Sequence, residues 1–443
     1  MRQYRGLLFL PFLAVVIVAL PLRAGEDELR RRVLELNKIT GNDVMRGEIA
    51  ILIKDAKAKE LIQTALTLAK ENKNSLAYNA ALVFARVADN LKDPKSSEAF
   101  YRICTQQAVK LRSTQKLEQS YGNLIMLLFE NKQYAESEKV CRELIELRTD
   151  DGKDREDLVG ETIKKTGEFD YFRDDKFEPA AKLRSGVYRL LIQSVAKQGK
   201  FKEALKMVDK LIVEHNHWLE RALKGWVQRE AGQYADAAKT YEDALTRVRK
   251  DKNLEPEDRD FYRDNYSYIL SNLYLEEDQL DKATEHLQAL LARHPDDPGY
   301  NNDLGYIWAD HNVKLPEAEK LIVKALEMDR QRRKSLPDIT PEENHDNGAY
   351  LDSLGWVYFK QKKYKEAKEM LQKAVEDKKS QHIEIYDHLG DVLLTLGERE
   401  AAVEAWRKGL ELAGDTRRER QRKAAVEKKL QKLKERPTAS GGP

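Results

Sequence analysis

Tyr350-Leu-Asp-Ser-Leu-Gly-Trp-Val-Tyr358, followed by Tyr364-Lys-Glu-Ala367, decides the reading of the chain. Leu351, Leu354 and Tyr358 fall on one face at helical spacing, with Gly355 between them. Ala367, Leu371 and Ala374 then form a second helical stripe. Two short helices that pack antiparallel need small residues where their backbones cross and large apolar residues around that point. Gly355 and Ala367 supply the first requirement, and the Leu and Tyr residues supply the second.

The same arrangement recurs on both sides. Downstream, Tyr386, Leu389, Gly390 and Leu393 precede Ala402, Trp406 and Gly409. Upstream, Leu304, Gly305 and Trp308 lead to Ala318, Ile322 and Ala325, with one extra residue in the turn. Ser271 and Tyr274 lead to Ala283 and Leu287, and Gly225 leads to Ala237, Tyr241 and Ala244. Weaker copies span Tyr188–Leu211 and Tyr121–Leu144. One such hairpin cannot bury its own apolar face, whereas three or more in a stack form a continuous core.

These residues resemble the tetratricopeptide-repeat (TPR) family over roughly residues 114 to 412. The resemblance implies an all-α solenoid of helix hairpins, a right-handed superhelix with a concave groove. The expected organisation has a segment 1–24, a helical region or degenerate repeats over 25–113, and the array over 114–412. Inserts near 148–184, 248–262 and 331–347 interrupt the array, where Pro, Asp and Gly mark loops. A basic capping helix is expected over 413–436 and a disordered tail over 437–443.

Composition agrees with long solvated helices: 35% of the residues are charged, against 22 Gly in 443 residues. The net charge of +2 conceals a segregation. Residues 416–436 carry ten Lys/Arg and three Glu, and residues 1–24 carry three Arg, so the body between them is near −8. An acidic body is a poor nucleic-acid footprint, and no nucleic-acid partner is expected. Val426, Leu430 and Leu433 give the basic segment one apolar stripe, which suits a helix that closes the end of a solenoid. Contact with an anionic membrane surface is the alternative use of 416–436.

Arg2 and Arg5 precede an apolar run, Leu7 to Leu20, that ends near Ala24 and is followed by Glu26-Asp27-Glu28. A basic start, a short apolar stretch and a small residue describe a secretory signal peptide, with cleavage expected after Ala24. The same stretch retained as an anchor is the other reading. Either way the body is expected on the far side of the membrane, in the bacterial periplasm or cell envelope. Cys104 and Cys141 form no C-x-x-C and sit in helical apolar patterns. They read as two small buried hydrophobes, with a disulfide between neighbouring helices as the alternative.

No catalytic, metal or cofactor site is expected. None of the eight His falls in H-E-x-x-H, and there is no phosphate-binding glycine loop or G-x-S-x-G. His215-Asn-His217 faces two ways on a helix, and His345 lies in an acidic loop with Glu342, Glu343 and Asp346. No small-molecule substrate follows from such a sequence.

What the resemblance implies for binding is more specific. In the TPR family the first helix of each hairpin lines the groove with its fifth, ninth and twelfth places, the motif Gly being the eighth. The fifth places here are Ala222, Tyr268, Asn302, Asp352 and Asp387, and the ninth are Trp226, Asn272, Tyr306, Trp356 and Asp391. Phe359 and Leu394 fall at twelfth places. Exposed aromatics at such columns would anchor a protein or peptide partner. Packing of Trp226, Trp356 and Phe359 against neighbouring repeats is the competing reading. Asp352 and Asp387 stand where the family's clamp for acidic peptide tails has Lys and Asn, so a basic or amphipathic segment fits better. The sequence therefore points to a non-enzymatic binding scaffold of the cell envelope. A membrane-tethered organiser held by residues 7–22 is the alternative.

Overall fold

The computed structural model describes residues 24–72, 75–149, 179–335, 340, 344–378, 380–414 and 416–435. Twenty α-helices run through them, with no strand among the described residues. Two compact units, 1–208 and 209–443, divide the chain within one helix. The first unit opens with α1 (Ala24–Leu36), α2 (Asn42–Ile53) and α3 (Ala58–Glu71). Its hairpins are α4 (Tyr78–Asn90) with α5 (Pro94–Leu111), and α6 (Thr114–Glu130) with α7 (Tyr134–Thr149). The third is α8 (Pro179–Lys197) with α9 (Phe201–His215), the helix the division crosses.

The second unit stacks five more hairpins. They are α10 (Trp218–Glu230) with α11 (Tyr234–Lys250), α12 (Pro256–Glu276) with α13 (Leu280–Arg293), and α14 (Pro298–Asp310) with α15 (Leu315–Lys334). Then come α16 (Gly348–Lys360) with α17 (Tyr364–Ala374), and α18 (Ile383–Thr395) with α19 (Arg399–Glu411). A last helix, α20 (Arg417–Glu435), closes the stack. The architecture is an all-α, TPR-type helix-hairpin solenoid.

One turn builds all eight hairpins. Each has a left-handed residue two places after its first helix: Lys92, Lys132, Gly199, Gly232, Asp278, Asn312, Lys362 and Gly397. The next N–H returns to the carbonyl five residues back, as in Asp93 to Ala88, Gln133 to Leu128 and Glu398 to Leu393. This is the Schellman closure, which satisfies carbonyls that the helix end would otherwise leave without donors.

Seven residues before each left-handed position the two helices cross. The crossing residues are Ala85, Ile125, Ile192, Gly225, Ser271, Gly305, Gly355 and Gly390. Sixteen residues further on (seventeen after Gly305) stand Tyr101, Cys141, Val208, Tyr241, Leu287, Ile322, Leu371 and Trp406, all buried. The sizes compensate. Ile at the crossing goes with Cys or Val, and Gly goes with Tyr, Ile, Leu or Trp. A Cβ on Gly225 would stand 2.7 Å from the Tyr241 ring, and one on Gly390 would run into the Trp406 ring. The two cysteines follow from this register. Both are free and buried. Cys141 takes the bulk position opposite Ile125, and Cys104 takes the place that Ala244 and Ala374 fill in later hairpins. Burial pushes the Cys141 thiol up to about 12 and Cys104 upward as well.

The expected inserts take different forms. The 248–262 stretch is absorbed by longer helices, α11 reaching Lys250 and α12 starting at Pro256. Of the 331–347 insert, α15 takes residues up to Lys334, and residues 336–339 and 341–343 lie outside the described set. Residues 150–178, most of the first insert, also lie outside it, as do 1–23 and 436–443. Among the described residues no helix is long and apolar enough to cross a membrane.

Candidate functional site

The candidate site is the face formed by the first helices of the second unit's hairpins. Tyr306 on α14 donates its hydroxyl to Glu384 on α18 at 2.6 Å, passing over α16. Hairpins two apart therefore touch on this side, which places the first helices on the inside of a tight curve.

The groove columns are stitched between neighbours. Fifth- and ninth-place side chains of one hairpin engage the sixth place of the next. Tyr268 donates its hydroxyl to Asp303 at 2.8 Å. Asp352 accepts from Nδ1 of His388 at 2.9 Å, and the His388 ring stacks on Trp356 with centroids 4.0 Å apart. Asp387 and Asp391 both accept from Nζ of Lys429, at 2.6 and 2.7 Å, so α20 supplies the sixth-place partner for the last hairpin. Trp356 stacks with His388 and with Phe359, whose centroid lies 5.0 Å away, and its Nε1 donates to Asp310 at 3.0 Å.

This arrangement corrects the expectation of exposed anchors. Asn302, Asp352, Trp356 and Asp387 are buried, between 3% and 8% exposed. The polar atoms of Asp352, Trp356 and Asp387 serve cohesion between repeats, because an acid in so tight a curve lies within reach of the next first helix, whereas Asn302 donates to its chain neighbour Asp303 at 3.3 Å. Trp356 and Phe359 take the packed reading. Asp391 is half-buried under Lys429. Asn272 is half-buried and donates to the carbonyl of Tyr268 on its own helix at 3.0 Å. Trp226 and Tyr306 are half-buried, and Tyr268 and Leu394 remain exposed.

Electrostatics concentrate under α20. The Arg422 guanidinium bonds Glu384, reaches Asp387 at 3.2 Å and faces Nε2 of His388 at 3.4 Å. Burial alone would weaken its charge, but Glu384, Tyr306 and Asp387 hold its pKa above the usual arginine value. Burial raises Glu384, yet Arg422 brings it below the ordinary carboxylate value. His388 would be driven neutral by its burial, but the Asp352 carboxylate outweighs that and holds it above the usual histidine value. Asp391 goes the other way, since burial outweighs Lys429 and raises it.

Sequence reasoning missed the sixth places. His388, Asp303 and Lys429 were the signal: each bonds a side chain 35 to 42 residues earlier, one repeat back. The remaining histidines have structural work. His217 and His382 cap α10 and α18, each Nδ1 accepting from the backbone N–H two residues on at 3.2 Å. His345 lies 3.8 Å from Asp377, and Asp346 is held by Arg330 and Arg333. Glu342 and Glu343 lie outside the described residues. Among the described residues no group of three or more His, Cys, Asp or Glu is placed to hold a metal.

Tetratricopeptide-repeat family models match residues 270–332, 348–380 and 383–416, and a PPR-repeat model matches 186–215, the α8–α9 hairpin. The chain is 32% identical over 127 residues to a TPR repeat-containing protein of Pseudomonas aeruginosa. That stretch is 29% of this chain and only 19% of the relative's length. Among solved structures, a tetratricopeptide repeat protein from Parabacteroides merdae shares 13% identity at a TM-score of 0.45, covering 70% of this chain and 98% of that one. A thermophilic TPR protein of Thermus thermophilus shares 20% at 0.35, covering 47% and 98%.

Proposed function

We propose that the chain is a non-enzymatic scaffold of the bacterial cell envelope that holds segments of other proteins against the first-helix face of its second unit. It carries tetratricopeptide repeats, and proteins built from such repeats bind protein or peptide partners. The observation that carries the reading is the stitching of the groove columns. Bonds from Tyr268 to Asp303, Asp352 to His388 and Asp387 to Lys429 hold that face rigid, so a partner need not order it on binding. Tyr268 and Leu394, both more than a third exposed, are apolar contacts left open on it, and Phe261, seven residues before Tyr268 on α12, is exposed as well.

The cell-envelope placement rests on residues 1–24. Their basic start and apolar run end near Ala24, and the acidic Glu26, Asp27 and Glu28 follow. Mass measurement of the mature N-terminus tests this: a start at Gly25 is expected, and a start at Met1 in the membrane fraction would favour the tethered organiser.

The groove itself is tested by site-specific photocrosslinking in cells. Crosslinkers at Tyr268 and Leu394 should capture one dominant protein, and one at exposed Lys365 on α17 should not. Equal capture from all three positions would defeat the groove reading. Asp352→Lys is unsuitable for this purpose, since it would bury an unpaired charge and unfold the last repeats.

A further inference from the structure

Helix α20 does more than close the solenoid. Val426 is fully buried, and Leu430 and Leu433 pack against the last hairpin, which accounts for its second half. Its first turn needs a separate account. Thr416 and Glu419 form a capping box: the Thr416 Oγ accepts from the Glu419 N–H at 3.2 Å, and the Glu419 carboxylate accepts from the Thr416 N–H at 3.1 Å. Arg417, Arg418 and Arg420 occupy the turn so formed. Cations at a helix N-terminus oppose the helix dipole, so local stability does not explain them.

Their contacts do. Arg417 and Arg418 both reach Glu276 at the end of α12, at 3.3 and 2.6 Å, and Arg417 lies over the Tyr234 ring at 4.8 Å. Glu276 is mostly buried, whereas both arginines are about half exposed. One turn further along, Arg422 sits on Glu384 and Asp387. The first turn of α20 thus reaches back from the last hairpin to α12, more than 140 residues earlier, and lays three arginines on acids of the first-helix face.

We propose that this turn is an internal occupant of an arginine-recognition surface made by Glu276, Tyr234, Glu384 and Asp387. A partner segment with arginines spaced as in Arg417-Arg418-x-x-x-Arg422 takes its place. The occupant is chosen by charge and by form: the surface already holds guanidinium groups by paired carboxylates and an aromatic face. The proposal rests on the groove reading above and names the class of segment that the groove admits. Two ion pairs whose arginines are about half exposed, and a cation–π contact, are weak enough to exchange, while the apolar half of α20 keeps the solenoid capped.

The test uses the full chain and a fluorescent peptide of residues 414–425 as probe, read by anisotropy. Arg417→Ser/Arg418→Ser removes the internal competitor without touching Val426, Leu430 or Leu433. It should bind the peptide about tenfold tighter than the wild type does. Adding Glu276→Lys should return affinity to the wild-type level. Equal affinity of wild type and double variant, no binding by either, or a gain that survives Glu276→Lys would each overturn the proposal. Wild-type crosslinking from Tyr268, run in parallel, judges the groove reading on its own.

Discussion

The hairpin α6–α7 of the first unit and α18–α19 of the second have the same backbone and opposite interiors. Both turn through a left-handed residue, Lys132 and Gly397, and both cross seven residues earlier. The first crosses at Ile125 and faces Cys141, whereas the second crosses at Gly390 and faces Trp406. The same volume is filled from opposite helices. Tetratricopeptide-repeat models match within 270–416, where Gly305, Gly355 and Gly390 follow the second solution, whereas the Ile192–Val208 hairpin, which lacks the Leu-Gly, is matched by a PPR-repeat model.

The sharpest break comes from forcing one solution halfway onto the other. Ile125→Gly leaves a cavity that Cys141 is too small to fill and adds a glycine to a helix interior. It should cost about 4 kcal/mol. The converse, Gly390→Ile, drives a side chain into the Trp406 ring and should cost about 3 kcal/mol. Pairing it with Trp406→Cys copies the first unit's solution and should recover most of that loss. The cycle should show a coupling of about 2 kcal/mol. Hydrogen-exchange protection of α18 and α19 in the full chain is the measure, because repeat arrays need not unfold in one step. Simple additivity of Gly390→Ile and Trp406→Cys would refute the compensation.

The units also differ in what joins neighbouring hairpins. In the first, buried or half-buried contacts between hairpins include neutral pairs, Ser137 with Ser194 at 2.9 Å and Tyr78 with Gln119 at 3.0 Å. Ion pairs join hairpins in both units, as Arg102 with Glu136 in the first, but in the second a buried histidine takes part, with His388 between Asp352, Arg422 and Glu384. His388→Gln keeps a donor for Asp352 but loses the charge, at about 1–2 kcal/mol. The sign of its pH dependence follows from the raised pKa. The histidine's stabilisation is complete below the unfolded value of about 6.5 and is lost as pH rises through the folded value. The gap in melting temperature between wild type and His388→Gln should therefore be wider at pH 5.5 than at pH 8.5. A gap narrower at pH 5.5 than at pH 8.5 would mean that His388 is neutral in the fold.

These contrasts explain what the sequence disclosed. The helix hairpins from Gly225 onward were legible because Gly and a large residue sixteen places on form a pattern that few other folds need. Ala85 with Tyr101 and Ile125 with Cys141 use the same register, but no single residue type marks it. Of the site, the acidic and aromatic residue types of the columns were legible. Their burial was not, because it depends on curvature: Asp352 is covered only because the stack bends far enough for His388 to reach it.

The smallest effect lies in the turns, and it sharpens the comparison most cleanly because no packing intervenes. Three of the eight left-handed positions are Gly, namely Gly199, Gly232 and Gly397, and five carry a side chain. A side chain at positive φ is strained by contact between its Cβ and the backbone, whereas glycine is not. Gly397 has nothing within 4 Å of an added Cβ, so Gly397→Ala isolates the backbone cost, expected at about 1 kcal/mol. Lys132→Gly and Lys362→Gly relieve the same strain and should each stabilise by about 0.5 kcal/mol, less because glycine also loosens the unfolded chain. Denaturant midpoints of the three variants, each read from exchange in its own hairpin, should move in those opposite directions. Equal behaviour of Lys132→Gly in the first unit and Lys362→Gly in the second would show that the turn is one device, independent of which interior solution it joins.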